Sequence, residues 1–65
     1  MAGGMMGWRV DTNLGTVTVY AKSINQAKNR AKWIAAHARY TFRNKAEEMT
    51  AVRECEVLKV TRAEQ

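Results

Sequence analysis

The segment from Ser23 to Arg43 contains neither glycine nor proline, and four of its five alanines fall at 27, 31, 35 and 38. At about 100° per residue, these four share one side of a helix with Ile24, Ile34 and Phe42. A helix whose inner stripe is mostly methyl groups can only bury that stripe by lying very close to its neighbour. Ser23 followed by Gln26 makes a capping box, "SINQ", and sets where the helix begins. The expected helix covers residues 24–43, with Ile24, Ile34 and Phe42 supplying its larger contacts.

The neighbour is a sheet. "GWRVD" alternates, with Trp8 and Val10 on one face and Arg9 and Asp11 on the other. "TVTVYA" resumes the alternation with Val17, Val19 and Ala21 inward and Thr16, Thr18 and Tyr20 outward. Between them "TNLG" is turn chemistry, with Asn13 and Gly15 suited to positive φ. Residues 7–21 therefore read as a β-hairpin. Trp8 is assigned to the core, because so small a core needs it.

The remainder leaves choices open. Residues 44–51, "NKAEEMTA", either extend the helix or form an irregular connection. "VRECEVLKVTR" is rich in β-branched residues and is read as a third strand over 52–61, with a second helix through Cys55 as the competing reading. Val52, Leu58 and Val60 share one parity and Cys55 and Val57 the other, which a bulge near Val57 would reconcile. The expected fold is α+β, a three-stranded sheet in ββαβ order with one long helix across one face. The third strand is expected beside the first and antiparallel to it; a parallel, right-handed crossover beside the second is the alternative. Residues 1–6 and 63–65 are expected to be tails around a single domain at 7–62.

Sixty-five residues lie near the lower limit for folding unaided. At roughly 25 cal/mol per Å² of apolar surface, an alanine-rich core barely exceeds the chain entropy it offsets, so the energetics leave room for self-association or a partner. Cys55 is the single cysteine, so no internal disulfide can form, and a reducing, cytoplasmic setting is expected. "MAGGMMG" lacks the pattern of a signal peptide, and no apolar run approaches the roughly 20 residues of a membrane span.

Enzymatic readings fail on inventory. Cys55 as a nucleophile would need a base, and His37, the single histidine, falls on the far side of the helix from it. One histidine and one cysteine do not make a zinc site, and no glycine-rich phosphate loop is present. Glu47 with Glu48, and Glu54 with Glu56, read as solvated charges. The chain is expected to need no cofactor or metal, and no small-molecule substrate is indicated.

Charge distribution is more informative. The net charge is +5, and residues 12–46 contain no acid while carrying Lys22, Lys28, Arg30, Lys32, Arg39, Arg43 and Lys45. On the expected helix Lys28, Lys32, Arg39 and Arg43 share one flank. Arg30, Trp33, His37 and Tyr40 form a second row opposite the alanines, bordered by Asn29 and Asn44. Cations beside aromatics suit nucleic acid: the cations neutralise phosphates, and Trp33, His37 and Tyr40 stack on bases or fit a groove. The rival readings are a protein interface or homodimer centred on Trp33 and Tyr40, and a merely solubilising surface. Arg9, Thr16, Thr18 and Tyr20, joined by Arg53 or Lys59, would line the uncovered face of the sheet.

"VTVYAKSINQAKNRA" (residues 17–31) resembles the strand-into-capped-helix junction of many small proteins carried by phages and integrative elements. The resemblance implies a mobile-element setting, where small basic proteins act as DNA-binding accessories or as inhibitors of host defence. It covers about a quarter of the chain and transfers no binding or catalytic role to any residue.

Overall fold

In the computed structural model, which describes residues 4–63, five elements follow one another. They are strand β1 (Met6–Thr12), strand β2 (Gly15–Ala21), helix α1 (Ile24–Arg39), helix α2 (Lys45–Glu54) and strand β3 (Val57–Arg62). The sheet is antiparallel throughout in the order β2-β1-β3, so the third strand does lie beside the first. Of the expected tails, residues 1–3 and 64–65 lie outside the described residues. Met6 already belongs to β1, and the Ala63 amide donates to the Gly7 carbonyl at 3.0 Å.

The hairpin turn is stabilised locally and then tied to a distant segment. Gly15 takes a φ of +128°, and the Thr12 hydroxyl donates to the Gly15 carbonyl at 2.7 Å while accepting from the Leu14 amide at 3.0 Å. Asn13 keeps a negative φ. It binds the entry to β3 instead: its amide donates to the Glu56 carbonyl at 3.0 Å, and its side-chain oxygen accepts from the Glu56 amide at 2.8 Å.

The bulge occurs at Leu58. Asp11 pairs with Lys59 and Thr12 with Val57, leaving Leu58 without an opposite residue. Two residues facing one is what returns Val57 and Val60 to the same, helix-side face, where both are half-buried. Leu58 is left outside, 63% exposed.

Trp8, Val10, Val19 and Ala21 form the sheet side of the core, and Ala27 and Ala31 form its helix side. The Trp8 indole N–H, buried here, donates to the Ala21 carbonyl at 3.1 Å, as a buried tryptophan requires. Ala35 and Ala36 are buried further along α1. The expected larger contacts are not made. Ile24 and Ile34 are each 45% exposed, and Ala38 is exposed. Alanine lets the helix sit so low on the sheet that the buried stripe narrows, and longer side chains at its margins ride past the strands.

The single long helix is corrected to two. The first stops at Arg39; Tyr40 caps it in an extended conformation (φ −130°, ψ 155°), and Phe42 lies in the linker, half-buried. The second helix starts at a second capping motif, "NKAE". Asn44 accepts from the Glu47 amide at 2.9 Å, and Glu47 accepts from the Arg43 amide at 3.0 Å. The first cap has the same form: Ser23 accepts from the Gln26 amide, and Gln26 accepts from the Lys22 amide. Val52, Arg53 and Glu54 close α2 and do not open the third strand, and buried Cys55 is the C-cap. The element order is thus ββααβ.

Close approach at the alanines has a measurable consequence. Ala31→Leu is expected to cost about 1–3 kcal/mol by overpacking, whereas Ile34→Ala is expected to change stability by no more than about 0.5 kcal/mol, as at a surface site. Urea midpoints of the two variants check this; a core role for Ile34 would reverse their order.

Candidate nucleic-acid interface

The orientation of α1 follows from one bond. The Arg30 guanidinium donates to the Tyr20 backbone carbonyl at 2.6 Å, so the Arg30 flank faces β2. Lys28, Lys32 and Arg39 lie half a turn away and face the β3 side. Lys28 and Arg39 are exposed, while Lys32 is partly covered; a long apolar stem lying along the surface leaves its ammonium in water. The sheet adds a fourth cation. Arg62 pairs with Trp8 across β3 and β1 and holds its guanidinium 5.8 Å from the centre of the Trp8 ring, on the helix side of the sheet.

Among the described residues none of these four has a carboxylate within 4.0 Å. Among the described residues the ion pairs within 4.0 Å are His37–Glu48, Lys45–Glu48 and Arg43–Glu47, all at the α1–α2 corner. A flank of cations with no internal partner keeps its full field for an external anion.

The row expected opposite the alanines is dispersed by α2. Arg30 is spent on the edge of β2. Trp33 stacks on His37 with ring centres 6.3 Å apart, and His37 meets Phe42 edge-on at 5.2 Å. His37 Nε2 donates to Glu48 at 2.6 Å, since an ionised carboxylate only accepts. Lys45 lies 3.5 Å from the same carboxylate and 5.8 Å from the centre of the Trp33 ring. Tyr40, half exposed at the end of α1, is 6.3 Å from Phe42. Arg43 has left the helix and lies 3.9 Å from Glu47. Asn44 is the cap of α2, and Asn29 borders a shallow dip beside Trp33 and Ile34.

Two participants are not legible in the sequence. Arg62 is hidden because the Leu58 bulge decides which face of β3 it occupies. Glu48 is hidden because nothing local says that α2 folds back on α1. The second cap, Asn44-x-x-Glu47, is the signal that marks the break between the helices.

Other surfaces suit a polyanion less. A groove between the hairpin turn and α2, lined by Leu14, Tyr40, Phe42 and Ala51, carries Glu47 and Glu54. The outer face of the sheet presents Arg9, Thr16, Thr18, Tyr20 and Lys59, but Asp11 lies among them and accepts from the Thr16 hydroxyl at 2.8 Å. Arg53, expected as a possible member of that face, is in α2. Among the described residues no three histidine, cysteine or acidic side chains gather as metal ligands, and no helix is long and apolar enough to cross a membrane.

The α1–α2 corner rests on Glu48. A double-mutant cycle of Glu48→Ala with His37→Ala is expected to give a coupling of about 0.5–1 kcal/mol, the range of partly exposed pairs. Amides of α2 in Glu48→Ala should exchange faster than those of β1, because α2 buries no residue of its own. Uniform exchange across the chain would contradict this. No family model, no curated protein and no solved structure matches the chain.

Proposed function

We propose that the chain binds nucleic acid through the β3-facing flank of α1, as a small basic accessory protein that performs no chemistry of its own. Lys28, Lys32, Arg39 and Arg62 contact phosphates. The observation that carries this reading is the set of four cations on one flank, with no acid among the described residues within 4.0 Å of any of them. Lys28 to Arg39 spans about 16 Å of helix at 1.5 Å per residue. Over that length one strand of a duplex offers about five phosphates, at 3.4 Å each.

The contact is mainly to the backbone. Trp33 and His37 are engaged by α2, and Arg30 by β2, so none of them is free to read a base edge. Tyr40, half exposed at the end of α1, contributes to stacking when a strand is unpaired. Sequence-tolerant binding follows, because phosphate contacts fix position without carrying sequence information. A mobile-element accessory is the setting that the strand-into-helix junction suggests.

The test is a salt titration of affinity for a short duplex. Replacing Lys28, Lys32 and Arg39 by alanine should reduce the slope of log affinity against log salt by about 2–3, near 0.9 for each phosphate that is no longer neutralised. Trp33→Ala should leave duplex affinity within about twofold, a fraction of a kcal/mol. An unchanged slope in the triple variant, or no binding at low salt, overturns the reading.

A further inference from the structure

We infer that two copies of this chain associate through the free edge of β2, joining their sheets about a two-fold axis at Thr18. The inference does not rest on the nucleic-acid reading, which uses the opposite flank of α1.

The backbone pattern comes first. The Ala63 amide bonds to the Gly7 carbonyl, so Gly7, Arg9 and Asp11 address β3, and their neighbours Met6, Trp8, Val10 and Thr12 address β2. On β2 the partners Gly15, Val17, Val19 and Ala21 therefore point inward. Thr16, Thr18 and Tyr20 direct their amides and carbonyls to the free edge, as the Arg30 bond to the Tyr20 carbonyl independently shows. Among the described residues only that carbonyl is occupied, and its second lone pair stays available.

Apart from the Arg30 guanidinium at its Tyr20 end, this edge lacks the usual defences. Proteins blunt free edges with charge, proline, bulges or a covering element. The β3 edge has such devices in Lys59, Arg62 and the Leu58 bulge. The sequence of β2, "GTVTVYA", has no charge, no proline and no bulge in its pairing with β1.

A second copy is the occupant that fits. Antiparallel pairing centred on Thr18 sets Thr18 against Thr18 of the second copy and Thr16 against Tyr20 of the second copy. Each of these is a hydrogen-bonded pair, because all of these residues address the edge. The half-covered Val17 meets Val19 of the second copy on the helix side. Helix α1 runs back along β2 from the Arg30–Tyr20 contact. Two residues along a strand advance about 6.6 Å, as do four to five residues of helix, so Ile34 sits about level with Thr18. Its exposed side chain then meets Ile34 of the second copy near the axis, which accounts for a large apolar residue left in water by the isolated chain. Lys28, Lys32 and Arg39 lie on the far side of each α1, so the axis keeps the two cationic flanks apart.

Sedimentation equilibrium and concentration-dependent amide exchange on the full chain test this. A dimer is expected, with the Thr16, Thr18 and Tyr20 amides slowing as concentration rises. Ile34→Lys should weaken association about tenfold or more by placing like charges at the axis. Thr18→Pro, which removes an edge-facing N–H and no β1–β2 bond, should abolish it. Association should hold or tighten as salt rises, the opposite of phosphate binding, so the two readings fail separately. A monomer at all concentrations to about 1 mM, a dimer whose Thr18 amide exchanges at the monomer rate, or undiminished association of a folded Ile34→Lys variant would overturn the inference.

Discussion

The structure depends on contact between an alanine stripe and three short strands. Ala27 and Ala31 of α1, both fully buried, share one cluster with Trp8, Val10, Val19 and Ala21 of the sheet. The arrangement is economical in side-chain volume but narrow. Among the described residues only Val10 of the larger side chains is fully enclosed, so the fold depends on shape and on polar ties. The indole bond to Ala21 and the two Asn13 bonds to Glu56 fasten elements that so little apolar area would hold loosely.

A narrow core also dictates the surface. Residues that flank the stripe cannot be covered, and the chain uses each flank differently. Toward β2, Arg30 ties down the one edge carbonyl that faces it while Ile34 stays in water. Toward β3, the cations face outward with no carboxylate of the described residues within 4.0 Å. At the end of α1, the second helix returns with the acids that the middle of the chain lacks, and Glu48 gathers His37 and Lys45 beside Trp33. The acids of α2 thereby offset the positive charge at that corner.

Much of the fold is legible in the sequence because it rests on local rules. Alternation sets the hairpin and the inward faces, the Ser23 box sets the start of α1, and conflicting parity around Val57 calls for the bulge found at Leu58. The site is legible only in part. Lys28, Lys32 and Arg39 hold the flank that their spacing assigns. Trp33 and His37 cannot be placed from spacing, because their neighbours come from a helix whose fold-back has no local signature. Ile34 reads as core since periodicity reports direction and says nothing of distance.

By itself the sequence determined the hairpin, the start of α1 and the inward faces of the first two strands, since these depend on neighbours within a few residues. It also determined where positive charge accumulates along the chain. Tertiary structure alone decided how low α1 sits on the sheet, where α2 folds, and hence which aromatics are engaged and which cations stay unpaired. Those outcomes depend on distances between segments far apart in the chain, which no local spacing encodes.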